Sequence, residues 1–342
     1  MNALCKCVIW DLDDTLWDGI CLEGHVTPRP DTIRAIETLG ARGIVHAVAS
    51  RGDEEIATRT LARFGLERLF VTTRINWLPK STNIRDIAET LHLPFDAIAF
   101  VDDDAFERAQ VAFMLPDVRI YEAEAAPLLP IEEGFDPGVV TAEGEARARL
   151  YRDEARRQEA AGAYASREDF LRACDMRLTV RPALTADIRR VGELMRRTHQ
   201  MNSTGLLPRD DELASLAGEN DSDGNILFVA ELEDRFGWCG IIATILVATR
   251  PGEAELRLFA MSCRVMGRGI ERAILSALVD RMAEAGATRV LARYTPTDRN
   301  RMIRTMFQLA GFRPVAADET PGILFELDFQ YRPTCPSWVS MS

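Results

Sequence analysis

Residues Val8-Ile9-Trp10-Asp11-Leu12-Asp13-Asp14-Thr15 join an apolar run to two carboxylates two positions apart and a hydroxyl. A run of this kind predicts a strand buried on both faces of a parallel sheet. In open α/β sheets, ligands and catalytic groups gather at the carboxyl ends of such strands. Two like charges placed there, on Asp11 and Asp13, are costly unless a cation stands between them. A hard divalent cation such as Mg2+ takes oxygen ligands and usually bridges to a phosphate. The pattern therefore predicts bound Mg2+ and a phosphorylated small-molecule substrate.

The following stretch repeats the theme. Apolar runs at 6–11, 44–49, 68–72, 97–102 and 118–121 alternate with helical spacing at 31–42, 53–64, 81–92 and 105–114. Such alternation predicts a doubly wound α/β domain with a parallel, Rossmann-like sheet. Residues 123–145 are acidic and carry Pro127, Pro130 and Pro137, the composition of a connector. Residues 146–173 are rich in Ala, Arg and Glu, which predicts an exposed helix or helical hairpin. A different pattern begins near Met176, with strands expected at Met176–Arg181, Ile226–Leu232, Gly240–Thr249, Leu256–Ser262, Arg289–Tyr294 and Ile323–Asp328. Helices are expected at Thr185–His199, Gly269–Ala285 and Asn300–Ala310. The expected organisation is a first domain over 1–122, a connector and helical linker over 123–175, a mixed-sheet α/β domain over 176–331, and a frayed tail over 332–342.

The 342 residues suffice for two domains of about 150 residues each. A net charge of −12 argues against general nucleic-acid binding. No window reaches the ~18 uninterrupted apolar residues of a membrane span, and Met1–Lys6 lacks the start of a signal peptide. Seven cysteines without a Cys-x-x-Cys pair, and only four histidines, argue against zinc. The thiols read as reduced and the protein as cytoplasmic.

Chemistry concentrates at four strand ends. They carry Asp11, Asp13 and Thr15; Ser50; Lys80, just before a helix; and Asp102-Asp103-Asp104. A carboxylate that attacks phosphorus needs a cation to hold the phosphoryl oxygens, a hydroxyl beside it, and a second acid to protonate the leaving oxygen. Order and type resemble the four motifs of the haloacid-dehalogenase (HAD) superfamily of phosphohydrolases. That resemblance implies Asp11 as nucleophile and Asp13 as general acid/base. Thr15, Ser50, Arg51 and Lys80 would bind the phosphate, and Asp11, Asp13, Asp102 and Asp103 would hold Mg2+. Neither Thr15–Arg34 nor Ser50–Lys80 has room for a large cap, so the site is expected to be open, as suits a bulky or protein-tethered substrate.

The likeness goes further. Trp10-Asp11-Leu12-Asp13-Asp14-Thr15-Leu16-Trp17, Asn76-Trp77-Leu78-Pro79-Lys80-Ser81 and Phe100-Val101-Asp102-Asp103 resemble the FkbH-like family. So do Met176–Pro182, Arg197-Thr198-His199-Gln200-Met201-Asn202-Ser203-Thr204-Gly205 and Met261-Ser262-Cys263-Arg264-Val265-Met266-Gly267-Arg268-Gly269. Members belong to polyketide-type pathways; the best-known take 1,3-bisphosphoglycerate, remove phosphate, and load the glyceryl group on an acyl carrier protein thiol. Two departures stand out. Ala49-Ser50-Arg51-Gly52 occupies the place of an expected Cys-Ser-Lys-Asn, so a family thiol at position 49 is missing, and Asp14 replaces a common Asn.

Strand, then Arg264-x-x-Gly267-x-Gly269, then a long helix resembles the pyrophosphate loop of GNAT acyltransferases. Glycines let backbone N–H groups approach phosphate at a helix start; the alternative is that they permit close packing. A pantetheine arm, on coenzyme A or a carrier protein, would bring such a phosphate to Arg264, Gly267 and Gly269. Cys263 reads as an acyl-accepting thiol or as a small buried strand residue. His199 reads as a base for that thiol or as a surface histidine. Asn202 and Thr204 could orient substrate or arm, and Asn300 could cap the next helix or bind. Arg189, Arg190, Arg196, Arg197, Arg299, Arg301 and Arg304 are candidates for a carrier-docking surface. Two enzymatic readings stay open: acyl loading of a carrier, or a plain Mg2+ phosphohydrolase whose second domain only binds substrate or carrier. The complete Asp11, Asp13, Ser50, Lys80 and Asp103 set argues against a third, a non-enzymatic scaffold.

Overall fold

The computed structural model describes residues 4–136, 147–198, 200–216, 224–315 and 322–342. The chain forms two compact units, Met1–Glu159 and Ala160–Ser342.

The first unit is built on five parallel strands: β1 (Cys7–Trp10), β2 (Val45–Ser50), β3 (Thr72–Ile75), β4 (Ile98–Asp102) and β5 (Arg119–Glu122), in spatial order β3-β2-β1-β4-β5. Helices α1 (Pro30–Ala41), α2 (Glu54–Arg63), α3 (Lys80–Thr90) and α4 (Ala105–Met114) connect them. Every residue of β1, β2 and β4 is buried, as continuous apolar runs in a doubly covered sheet require. One layer packs Val8, Trp10, Leu12 and Val48 with Ile36 and Leu61, and the other packs Ile9, Ala47, Ala49 and Phe100 with Ile84 and Ile87. Parallel register pairs Trp10 with Val48 on one side and Val101 on the other, so Asp11 leaves the sheet between Ala49-Ser50 and Asp102.

Two expectations for 123–175 change. Within the connector, Ala123–Ile131 is a 3-10 helix that buries Ala126 and Leu129 in the core. The charged helix α5 (Arg147–Ala161) is not simply exposed: it buries Leu150 and Tyr151, and Arg147 donates to the Gly43 carbonyl at 2.9 Å. Its Ala-Arg-Glu composition hid this, because Arg157 and Glu154 are buried as a pair with Nη1 and Oε2 2.7 Å apart.

The second unit has an eight-stranded mixed sheet. Helices α6 (Arg167–Ala173), α7 (Ile188–Arg197), α8 (Asp210–Ser215), α9 (Ile270–Glu284) and α10 (Arg301–Leu309) accompany strands β6 (Met176–Pro182), β7 (Asn225–Asp234), β8 (Gly237–Arg250), β9 (Glu253–Met261), β10 (Arg289–Tyr294), β11 (Phe312–Val315), β12 (Ile323–Leu327) and β13 (Val339–Met341). Their order is β11-β12-β10-β9-β8-β7-β6-β13. β9 and β10 run parallel but pair only over Glu253–Leu256, and then diverge. Met201–Ser203 enters the fork: Ser203 N donates to Phe259 O, Met261 N to Met201 O, and Thr295 N to Ser203 O, each at 2.9 Å. The tail does not fray. β13 pairs in parallel with β6, Val339 opposite Met176, and extends the sheet edge. No helix among the described residues is long and apolar enough to cross a membrane.

His46, buried on β2, accepts a 3.1 Å bond at Nδ1 from Trp10 Nε1, and burial pushes its pKa down to about 3. The native histidine stays neutral where the unfolded one, near pH 6.5, takes a proton. Stability is therefore lost as pH falls below about 6.5, at about 1.4 kcal/mol per pH unit. Between pH 7 and 5, wild type should lose about 2 kcal/mol more than His46→Gln in urea unfolding of the first unit; parallel losses would refute the assignment.

Candidate active site

The site of the first unit grows from the register of its central strands. Asp11 follows β1 and Asp102 ends β4, 5% and 0% exposed. Lys80, the first residue of α3, reaches both from behind Pro79: its Nζ lies 3.0 Å from Asp11 Oδ2 and 2.5 Å from Asp102 Oδ2. Burial pushes the Asp11 carboxyl up to about 7, opposed by Lys80 and reinforced by Asp102. Burial also raises Asp102, again against Lys80. Burial works to neutralise Lys80, yet the two carboxylates hold its pKa above the ordinary value. The Ser50 hydroxyl donates to the Asp11 carboxylate.

Carboxylate oxygens of Asp11, Asp102 and Asp103 all lie within 4.8 Å of one another. Asp11 Oδ1 is buried and has no hydrogen-bond partner among the described residues. Three carboxylates against one ammonium leave two negative charges, and a buried acceptor without a donor is costly. A divalent, oxygen-seeking cation answers both deficits, so the residues present fit Mg2+.

Other expected residues take different positions. Asp13 stands outside this carboxylate cluster: its Oδ1 accepts from Trp17 Nε1 at 2.8 Å and from Cys21 N at 2.9 Å. Those two donors hold its Oδ1 against the loop, while the expected ligands Asp11, Asp102 and Asp103 stand together. Thr15 is fully buried and serves Asp103, whose N–H donates to its Oγ1 at 3.1 Å; it is not presented to a phosphate. Arg51 pairs with the buried Glu107, Nη1 to Oε1 3.0 Å, and so steadies the site's wall. Asp14 adopts the left-handed conformation (φ 49°) and its Oδ1 accepts from Gly19 N at 2.8 Å, a turn role that Asn shares. Ala49 is sealed in the core layer under α3. Glu107, and Arg108, which donates to the carbonyls of Asp102 and Asp103 at 2.8 and 2.6 Å, were not singled out from the sequence. Their one signal is position, one turn after the Asp102-Asp103-Asp104 run.

In the second unit, Asn202 and Asn300 are staples. Asn300 is fully buried; its Nδ2 donates to Asn202 O and Thr295 O, both at 2.9 Å, and its Oδ1 accepts from Thr297 N at 2.8 Å. It makes no side-chain cap to α10. Asn202 Oδ1 accepts from Thr204 N and Gly205 N at 3.2 and 2.9 Å. Thr204 is buried and its hydroxyl accepts from Leu206 N. These groups are consumed by the loop that fills the fork, which leaves little for a ligand. Cys263 is half-buried, its Sγ 4.0 Å from Gln200 Oε1, in a 3-10 turn with Arg264. Arg264 turns inward, its Nη2 donating to Cys239 O at 3.5 Å. Gly267 and Gly269 have φ of 73° and 76°, conformations that favour glycine. A Cβ on Gly267 would fall 2.6 Å from Arg167 Nη2, and one on Gly269 3.0 Å from Pro336 Cγ. Both glycines also line a cavity of about 620 Å3 together with Met266, Glu271 and Arg272. Arg190 is buried against Glu193 at 3.0 Å and leaves the expected basic surface. His199 lies outside the described residues.

No family model matches the sequence, and no curated protein does. Three of the similar solved structures each cover less than half of this chain. The N-terminal part of a Bacteroides fragilis protein, containing a phosphatase domain complexed with Mg, is 26% identical over 44% of this chain, with a TM-score of 0.32. The match spans 40% of that protein's length. The GNAT domain of S. lividans PAT is 20% identical over 44% of this chain and 89% of its own, TM-score 0.35. The ribosomal-protein-S18-alanine N-acetyltransferase from Escherichia coli is 17% identical over 44% of this chain and 92% of its own, TM-score 0.34.

Lys80→Met strands two buried carboxylates. It should cost the first unit about 3–5 kcal/mol in chemical denaturation, with part of the loss recovered by millimolar Mg2+; an unchanged stability would show the bridge to be idle. Asn300→Ala removes three buried bonds and should destabilise the second unit by about 2–4 kcal/mol. A variant with full stability and impaired ligand binding would reverse the staple assignment.

Proposed function

We propose that the first unit is a Mg2+-dependent phosphoryl-transfer enzyme with Asp11 as nucleophile. We further propose that the chain dephosphorylates a phosphorylated three-carbon acid of the 1,3-bisphosphoglycerate type and passes the glyceryl group to the phosphopantetheine thiol of an acyl carrier protein. The observation that carries the first half is the Lys80 bridge between Asp11 and Asp102, with Asp103 completing a doubly negative cluster around an unpartnered Asp11 oxygen. The second half rests on the sequence resemblance and on the open site. Among the described residues, only a two-residue ribbon, Trp17–Asp18 with Thr27–Pro28, and a short 3-10 turn lie between Thr15 and α1, so that segment holds no cap domain. Trp77 and Phe106, 68% and 69% exposed, flank Lys80 and Asp104 and give the rim apolar surface for a macromolecular partner.

In the proposed reaction Lys80 and Ser50 hold the oxygens of the phosphate ester, not of the acyl phosphate, while Asp11 attacks the ester's phosphorus and leaves the mixed anhydride intact for loading. The bond from phosphorus to the leaving oxygen breaks, and Asp13 gives that oxygen its proton. Water then attacks the aspartyl phosphate, its proton passes to Asp13, and inorganic phosphate departs. Mg2+ held by Asp11, Asp102 and Asp103 would supply neutralising charge between nucleophile and phosphoryl oxygens. Loading is a separate displacement: the carrier thiol attacks the acyl carbon of the mixed anhydride, a C–S bond forms, the C–O bond breaks, and phosphate leaves with the thiol's proton. A plain phosphohydrolase is the second reading, favoured by the burial of Ala49 in the core layer.

The test is intact-protein mass spectrometry with Mg2+, 1,3-bisphosphoglycerate generated in situ and a holo carrier protein. A glyceryl mass gain on the carrier supports loading, and phosphate release alone supports the second reading. Asp11→Asn should lower phosphate release by at least about 1,000-fold with unfolding unchanged; retained turnover would remove Asp11 as nucleophile.

A further inference from the structure

Helix α4 of the first unit presents the wrong residues to water. A surface helix normally directs polar side chains outward and an apolar stripe at the core. In α4 the polar side chains are Glu107, Arg108 and Gln110, and all are drawn toward the body of the unit. Glu107 is buried, its Oε1 3.0 Å from Arg51 Nη1. Arg108 Nη1 donates to the carbonyls of Asp102 and Asp103 at 2.8 and 2.6 Å. Gln110 keeps its Oε1 out of water. Val111 fastens the helix to the core layer of Ile84 and Ile87. The face left to solvent is Ala105, Phe106, Ala109, Ala112 and Phe113, with Phe106 69% and Phe113 84% exposed. That face carries no charged side chain, on a chain whose net charge is −12.

The pattern is complementary to itself. Phe106 and Phe113 stand two turns apart on one side of the helix, about 10 Å along its axis, with Ala109 between them. Two copies of α4 laid antiparallel about a two-fold axis at Ala109 set Phe106 opposite the partner's Ala112 and Phe113 opposite the partner's Ala105. Each ring then meets a methyl group and not a second ring, and the helices cross where Ala109 lets them approach closely. Antiparallel packing also brings each helix amino terminus beside the other's carboxyl terminus, which suits their dipoles. A patch that fits itself under a two-fold axis is the mark of an isologous interface. An aromatic side chain covers about 150–250 Å2, so the open parts of Phe106 and Phe113 amount to about 300 Å2. With the alanines and the half-exposed Met114 the face reaches about 500 Å2 per copy, or about 1,000 Å2 for a pair, the lower limit of a specific interface. Electrostatics selects the same place. Copies of like net charge repel, and they meet at least cost where neither presents a charge.

We propose that α4 is the interface between two copies of this chain, paired antiparallel across Ala109. The pairing goes beyond the phosphoryl-transfer reading and does not depend on it. Its consequence for the site follows from where α4 begins, directly after Asp102-Asp103-Asp104. The antiparallel arrangement sets the partner's Phe113 beside Ala105 and the partner's Met114 beside Asp104, so each copy adds an apolar wall to the mouth of the other's carboxylate cluster.

Sedimentation equilibrium of the full chain tests the pairing. A reversible monomer–dimer equilibrium is expected, with a Kd of about 1–100 μM, as suits an interface near the lower size limit. Phe113→Glu changes an exposed side chain and should weaken self-association at least ten-fold without shifting thermal melting. Ala109→Cys, mildly oxidised, should give a dimer whose disulfide joins the two introduced thiols, as read by peptide mass spectrometry. Thr38→Cys, at an exposed position of α1 on the other side of the sheet, should give none. A wild type that stays monomeric at about 1 mM would assign the face to a different protein and overturn the proposal. So would self-association that Phe113→Glu leaves intact, an Ala109→Cys variant that forms no such disulfide, or cross-linking as ready in Thr38→Cys as in Ala109→Cys.

Discussion

A buried lysine between two buried carboxylates organises the first unit. Parallel pairing of β1 with β4 brings Asp11 and Asp102 to the same sheet edge with almost no exposure to water. Their mutual repulsion would be severe in that setting without Lys80. The lysine itself sits where helix physics disfavours it, in the first turn of α3, against the positive end of the helix dipole and behind a Pro79 that offers no side-chain cap. Local preference is overridden because the pair of carboxylates needs a cation at that point. Asn83 and Asn76, bonded to each other at 3.1 Å in both directions, hold the preceding loop and so fix where the ammonium falls.

The same economy explains which parts of the site could be read from the chain alone. Continuous apolar runs ending in carboxylates mark strand ends, so the succession of strands along the chain and the places of Asp11, Ser50, Lys80 and Asp102 at their ends follow from pattern. Which carboxylate oxygens meet does not, because it depends on how the chain turns after the strand. Asp13 is two residues from Asp11, yet Trp17 and the Cys21 amide draw it into the loop, while Asp103, distant in sequence, joins the cluster under the hand of Thr15. Thr15 reads as a phosphate ligand from its motif and works as a support for Asp103. Arg51 likewise looks available until Glu107 is seen beside it.

The second unit shows a sharper ambiguity. A glycine with positive φ is required both where a phosphate approaches backbone and where another part of the protein does. Arg264-x-x-Gly267-x-Gly269 carries no information on which applies, and the side chains that approach its glycines, Arg167, Pro336 and Trp338, lie far away in sequence. Asn202 and Asn300 pose the same problem. A buried amide satisfied on both sides is a structural element, and only the bonding pattern reveals it. The helix α5 erred in the opposite direction, since a charged composition concealed a buried face completed by Arg157 and Glu154.

The two units therefore make different demands on what they bind. The first presents two uncompensated negative charges, one ammonium and an unpartnered carboxylate oxygen, a setting that selects a cation and a phosphorylated, strongly hydrated molecule. The second presents methionines and leucines beside Glu271, Arg272 and the glycine loop, a lining that joins an apolar wall to a carboxyl and a cation. The two settings differ in what they reward: the first neutralisation of charge, the second burial of apolar surface beside a charged end.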